Sequence, residues 1–316
     1  MKAVVISNGA VSWEERPDPV PGPDDLLVRV AAAGINGADL LQRAGRYPPP
    51  PGVPPDQPGL ECAGVVEAVG ANANTFRPGD RVMSLLAGAA QAELVVMPQQ
   101  VAMAVPDRLA MVVAGGFPEV FSTAHDALFT QAGLTIGERL LVTGAAGGVG
   151  MAAVQLGVAA GATVVASVRD TRLHEKVSVL GATCATPEEA LALGPFDVVL
   201  ELVGGLGVSR ALACLAPWGR VVVIGTGAGA RTELDLSQLM GRRATIRGST
   251  LRTRSLEERA LVARRAQRHV LPLLAEGRVR VVVEATFGFE QAQEAYERFA
   301  DGGKFGKIVL VATASG

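Results

Sequence analysis

The chain of 316 residues is 49% hydrophobic and 19% charged, with a formal net charge of −2. That length accommodates two domains with a core each, and the apolar share fits an α/β protein whose parallel strands are buried on both faces. The near balance of charge argues against nucleic acid or an anionic membrane as the chief partner, and no run approaches the ~20 apolar residues of a membrane span.

The opening run Met1–Ile6 gives way at once to Ser7-Asn8-Gly9, too short for the apolar core of a signal peptide. The three cysteines, Cys62, Cys184 and Cys214, are scattered with no Cys-x-x-Cys among them. They read as small buried hydrophobes of a reducing compartment, and a cytoplasmic protein is expected. Short strand-like runs at Leu26–Val30, Gly64–Val69, Asp80–Leu85 and Ala92–Met97 are bounded by turn residues such as Pro78-Gly79-Asp80. This spacing predicts a compact β barrel or sandwich over about the first 115 residues. Within it, Pro48 to Pro55 is a proline-rich segment that favours polyproline II conformations and cannot join a sheet interior.

From Glu138 the texture becomes strands alternating with helices. Strands are expected at Leu140–Thr143, Thr163–Val168, Asp197–Leu202, Val221–Gly225 and Ala244–Arg247, and helices near Met151–Ala160, Thr171–Leu180 and Val208–Leu215. This is the βαβ pattern of a doubly wound parallel sheet. A long amphipathic helix is predicted over Leu256–Glu276, with Arg264, Arg265 and Arg268 as a solvated face, followed by strand, helix and strand at Arg280–Glu284, Gln291–Phe299 and Ile308–Val311.

The first parallel strand runs into Thr143-Gly144-Ala145-Ala146-Gly147-Gly148-Val149-Gly150 and then an alanine-rich helix. A helix N-terminus without obstructing side chains can hold a pyrophosphate on its backbone N–H groups and positive dipole end. Ala145, Gly147, Gly148, Val149 and Gly150 are therefore candidate dinucleotide contacts, although the pattern is one glycine short of the usual fingerprint. An NAD site carries an acid near the end of the second strand. Here the tip reads Ser167-Val168-Arg169-Asp170-Thr171-Arg172, so Ser167, Arg169 and Arg172 favour the 2′-phosphate of NADPH. Two readings remain open beside this one: Asp170 in the place of the NAD-type acid, and Arg172 as a helix-surface charge. Gly204, Gly225 and Thr226 follow other strands of the same sheet and are further candidates, with plain turn glycines as the alternative.

The segments Ala33-Gly34-Ile35-Asn36-Gly37-Ala38-Asp39-Leu40-Leu41-Gln42-Arg43, Gly45-Arg46-Tyr47-Pro48-Pro49-Pro50, Gly59-Leu60-Glu61-Cys62-Ala63-Gly64, Phe76-Arg77-Pro78-Gly79-Asp80-Arg81-Val82, Ala145–Leu156, Thr250-Leu251-Arg252-Thr253-Arg254 and Gly306-Lys307-Ile308-Val309-Leu310 span the chain. Through them it resembles the zinc-independent quinone oxidoreductases, the zeta-crystallin group of the medium-chain dehydrogenase/reductase superfamily, and especially their tumour-suppressor-inducible branch. The resemblance implies a GroES-like β-barrel catalytic domain interrupted by a Rossmann domain, with limits at 1–119, 120–252 and 253–316. It also implies NADPH in the cleft between domains, hydride transfer to quinones or similar enones, and a homodimer joined through the strand at 244–250.

Zinc-dependent relatives hold their metal with Cys, His and Cys, and the corresponding positions here look like Asn36, Leu60 or Glu61, and Glu119. No thiolate or imidazole remains, so a metal-free protein is expected. By the same resemblance Tyr47 is an active-site residue covering a planar substrate, Asn36 lies near the nicotinamide, and Thr123 packs against its ring. The residue-level alternatives are a loop anchor for Tyr47, a turn or cap for Asn36, and a helix-interior threonine for Thr123. His125 reads as a packing residue rather than a proton relay. Leu41 replaces a second tyrosine of other members and makes the pocket more apolar. Leu251 and Arg252 would pass the cofactor, with an interface or surface role as the alternative for Arg252. The competing functions are an enoyl or alkenal double-bond reductase, and a catalytically silent NADPH-binding protein.

Overall fold

The structure is a computed structural model and describes residues 1–312. The described residues form two compact units. The first comprises Met1–Ser122, Leu251–Ala275 and the chain from Val281 onward; the second comprises Thr123–Thr250 with Glu276–Arg280.

In the first unit the organising element is the eleven-residue strand Asp25–Ile35, whose inward residues Leu26, Val28 and Val30 are buried while Arg29 faces out. It pairs antiparallel with Glu61–Val69, Leu94–Pro98 and Lys307–Val311. The sheet runs in the order Val283–Gly288, Lys307–Val311, Asp25–Ile35, Glu61–Val69, Arg81–Leu85, Ala102–Ala104. The strand Lys307–Val311 is thus built into the sheet beside Asp25–Ile35, its partner from far earlier in the sequence. A separate hairpin, Lys2–Ser7 with Ala10–Glu15, turns through Asn8 and Gly9, both at positive φ. An Asn-Gly pair between two strands is the local signal for that turn.

The helix Leu256–His269 opens on a capping box in which the Ser255 hydroxyl accepts from Glu258 N–H. It is shorter than the sequence predicts, because a second helix begins at Leu271 and carries Pro272 in its first turn. A proline has no N–H to continue the preceding helix and its ring clashes with the carbonyl behind it. The following strand lies at Val283–Gly288, a few residues later than expected.

The second unit is a six-stranded sheet ordered Thr183–Ala185, Thr163–Ser167, Arg139–Val142, Phe196–Glu201, Leu215–Val223, Thr245–Gly248, with every pairing parallel. The order reverses between Arg139–Val142 and Phe196–Glu201, and ligands of open parallel sheets bind outside the carboxyl ends of strands at such a switch point. The segment Glu276–Arg280 belongs here because Gln155 holds it: Arg280 N–H donates to Gln155 Oε1 at 2.8 Å and Gln155 Nε2 donates to the Arg280 carbonyl at 3.0 Å.

Candidate functional site

The strand Arg139–Val142 ends in a turn in which Gly144 takes a φ of +60° and Gly147 N–H donates to the Gly144 carbonyl at 3.1 Å. Gly147 then caps the twelve-residue helix Gly148–Ala159. A Cβ on Gly150 would sit 2.5 Å from the Gly144 carbonyl oxygen and 2.6 Å from Ala145 Cα, so only glycine lets the helix start this close to the turn. A Cβ on Gly147 would meet only the Gly144 oxygen, at 3.4 Å. The first N–H groups of a helix have no intrahelical partner, and here no side chain covers them. The turn fits a pyrophosphate.

At the neighbouring strand tip Ser167 is buried, with its carbonyl accepting from Ala145 N–H at 3.2 Å, while Arg169 is exposed. Arg172 forms a two-pronged pair with Asp170, Nε to Oδ1 at 2.9 Å and Nη2 to Oδ2 at 2.7 Å. Arg172 thereby holds the Asp170 carboxyl down at about 2. The acid and the guanidinium that pointed to opposite cofactors are partners of one another.

On the next strand Glu201 is wholly buried, and its Oε1 accepts from Val203 N–H at 2.7 Å and Gly204 N–H at 2.8 Å. Gly204 lies at φ +84° against Thr226, whose Cα a Cβ would approach to 2.7 Å, and Gly225 lies against the Leu202 carbonyl. Close backbone approach therefore brings Gly204, Gly225 and Thr226 together. Thr123 is buried on the helix Pro118–His125, and its hydroxyl has no hydrogen-bond partner among the described residues. The helix passes into a π-helical turn at Asp126–Gln131, a geometry frequent at functional sites. His125 is buried against Phe129, ring centroids 5.1 Å apart.

In the first unit, Asn36, Glu61 and Lys307 form a closed polar cluster. Lys307 Nζ donates to Asn36 Oδ1 at 2.6 Å and to the Ile35 carbonyl at 2.9 Å, and lies 2.6 Å from Glu61 Oε1. Asn36 Nδ2 donates to Glu61 Oε1 at 3.0 Å, and Glu119 N–H donates to Glu61 Oε2 at 2.8 Å. Three of the positions compared with a metal site are therefore together, with an ammonium among them. Beside them Asp39 accepts from Asn36 N–H at 2.8 Å and Gly59 N–H at 3.0 Å; burial pushes its carboxyl up to about 6.

Tyr47 stands at the start of the proline segment, and the Arg252 guanidinium lies over its ring, 5.0 Å from the centroid. Arg252 is buried in this unit, as is Leu251, which packs with Leu60, Leu85 and Val262. Sequence reasoning places Lys307, Asp39 and Gln42 in segments that carry the family resemblance but gives them no role. The available signals were a lysine at the head of an otherwise apolar strand and two polar residues on a short helix that is half buried.

A family model described as zinc-binding dehydrogenase matches residues 160–310, and one described as alcohol dehydrogenase GroES-like domain matches residues 22–130. The rat synaptic vesicle membrane protein VAT-1 homolog is 30% identical, over 95% of this chain and 80% of its own. Human quinone oxidoreductase is 28% identical, over 93% of this chain and 91% of its own. Among solved structures, an alcohol dehydrogenase superfamily protein from Novosphingobium aromaticivorans superposes with a TM-score of 0.87 at 30% identity, covering 99% of this chain and all of that one. The chain belongs to the medium-chain dehydrogenase/reductase superfamily, with its GroES-like and Rossmann-like units. It is an oxidoreductase of that class, and its fold implies a nicotinamide dinucleotide. Among the described residues no helix is long and apolar enough to cross a membrane.

Proposed function

We propose that the protein is a zinc-independent NADPH:quinone oxidoreductase of the zeta-crystallin group, nearest the tumour-suppressor-inducible branch. The observation that carries this reading is the Lys307 ammonium bonded to both Asn36 and Glu61. Zinc prefers thiolate and imidazole ligands, whereas Asn36 and Glu61 offer only oxygens, both already spent on the Lys307 ammonium. The set does not fit that metal. Without a Lewis acid to polarise a carbonyl, the acceptor must take hydride readily, as quinones and conjugated enones do.

Bound NADPH supplies that hydride. The backbone N–H groups of Gly148, Val149 and Gly150, entered past Ala145 and Gly147, hold the pyrophosphate. Ser167, Arg169 and Arg172 hold the 2′-phosphate, and Gly204, Gly225 and Thr226 flank the adjoining strand ends. The Thr123 hydroxyl, without a partner among the described residues, supplies a polar contact to the nicotinamide, and Tyr47 orients the acceptor carbonyl. In this reading Asn36 acts from within the Lys307 cluster. The edge strand Thr245–Gly248, paired on one side among the described residues, joins a homodimer.

The test is oxidation of NADPH with 1,4-benzoquinone and, separately, a 2-alkenal as acceptor. Quinone turnover that falls in Tyr47→Phe supports the reading. Turnover of the alkenal with none of the quinone overturns it in favour of a double-bond reductase, and cofactor binding without either turnover overturns it in favour of a silent binding protein.

A further inference from the structure

Arg252 spends its guanidinium inside the first unit. Its Nε donates to the Ala87 carbonyl at 2.7 Å, Nη1 to the Tyr47 carbonyl at 2.9 Å and Nη2 to Gln42 Oε1 at 2.6 Å. Gln42 in turn donates from Nε2 to the Pro55 carbonyl at 3.0 Å. The two ends of the proline-rich segment, Tyr47 and Pro55, therefore hang on one guanidinium–amide pair. The same guanidinium lies 5.0 Å from the Tyr47 ring centroid. Residue 88 has no side chain because the space is taken: a Cβ there would meet Val53 Cγ1 at 2.6 Å and Arg252 Nη2 at 3.5 Å.

We propose that Arg252 is the positioning residue for Tyr47, fixing the proline-rich segment and the plane of the phenol ring, and through it the plane in which a flat acceptor is held. The proposal rests on the reading of Tyr47 as the acceptor residue, and it moves Arg252 from cofactor contact to acceptor specificity. The residue type follows from the geometry. Three acceptors in three directions, with an aromatic face above, suit a planar fork with five donors; an ammonium cannot meet all four. The acceptors of these three hydrogen bonds are neutral oxygens. The contacts of the guanidinium are thus set by geometry and stacking, while the nearby carboxylates of Asp39 and Glu119 favour its charge. Proline residues make the segment stiff, so a displacement at Tyr47 is carried along it and is not absorbed locally.

The experiment compares wild type with Arg252→Met, Arg252→Lys and the milder Gln42→Leu, which keeps the guanidinium and loses one of its acceptors. Amide hydrogen exchange over residues 46–58 of the cofactor-free protein is expected to rise about tenfold or more in Arg252→Met, and by less in Gln42→Leu. The KM for 1,4-benzoquinone should rise about tenfold, with NADPH affinity within about twofold of wild type. Arg252→Lys should not restore either value. In a Tyr47→Ala background, Arg252→Met should leave the quinone KM where Tyr47→Ala alone puts it, because both act through one ring. A weakened NADPH affinity with unchanged exchange in 46–58 overturns the proposal, as does a full further loss in the Tyr47→Ala background. If no variant and no wild type turns over quinone, the reading of the reaction fails, while the exchange and NADPH measurements still decide the role of Arg252.

Discussion

The Lys307 ammonium lies 2.6 Å from Glu61 Oε1, and both side chains are almost wholly withdrawn from solvent. The two are brought together by strand pairing alone: Lys307–Val311 and Glu61–Val69 flank the same central strand, Asp25–Ile35. Removing one member of a buried pair strands the other charge in a low-dielectric interior, which costs about 3–5 kcal/mol. Lys307→Met should therefore lower stability by that amount in urea denaturation. Lys307→Met combined with Glu61→Gln should recover part of the loss, since the orphaned charge is gone. A single variant as stable as wild type would show that the pair carries no such weight.

Asp39 sets an acid-side pH dependence of stability. The unfolded chain releases its proton near the usual 3.8, whereas burial holds the folded carboxyl at about 6 against two backbone N–H bonds and the charges of Lys307 and Arg252. Between those values the native state keeps a proton that the unfolded state has lost, so stability falls as pH rises through the window and levels off above it. The difference in unfolding free energy between wild type and Asp39→Asn, measured from about pH 4 to about pH 7, should decline and then flatten. A difference that grows with pH would contradict the assignment.

The two glycines of the dinucleotide turn separate folding from binding. Gly150→Ala drives a Cβ to 2.5 Å from a backbone oxygen, and overpacking of that kind costs roughly 1–3 kcal/mol. Gly147→Ala meets only one atom at 3.4 Å, so its unfolding midpoint should match wild type while dinucleotide affinity falls. Equal thermal stability of both variants would refute the steric account.

In the proposed reading, cofactor preference turns on the Asp170–Arg172 pair. Asp170 is held at about 2 and so stays ionised at any assay pH. In that reading a 2′-phosphate shares Arg172 with it. Arg172→Ala is expected to weaken NADPH about tenfold with little effect on NADH, and Asp170→Asn to raise the preference for NADPH. Titration of both cofactors against the three proteins checks this, and an unchanged ratio in Arg172→Ala would remove Arg172 from the site.

The readable parts of this chain are local. The glycine turn, its strand and its helix are contiguous, and buried parallel strands stand out as unbroken apolar runs such as Leu140–Val142 and Val198–Leu200. The three-residue strand Thr183–Ala185 carries too little pattern to be seen. Pro272 was a legible stop, overridden by the amphipathic spacing on either side of it. The side-chain cluster of Lys307 with Asn36 is a different case, since its members are 271 positions apart and share no period. In sequence Arg252 stands just after the last Rossmann strand, whereas its partners Gln42, Tyr47 and Ala87 lie far earlier along the chain.

Lys307–Val311 pairs with Asp25–Ile35 in the register Ile308 to Ile35 and Val311 to Ala32. During synthesis Asp25–Ile35 emerges long before Lys307–Val311, with the Rossmann unit made between them. The first unit must wait with an open seam, and with the Glu61 carboxylate lacking its counter-charge, until Lys307–Val311 has been made. The second unit has its six strands in hand long before then, and needs only Glu276–Arg280 to be complete. A stop codon anywhere before Lys307 would leave the Rossmann sheet able to form beside a barrel that cannot close.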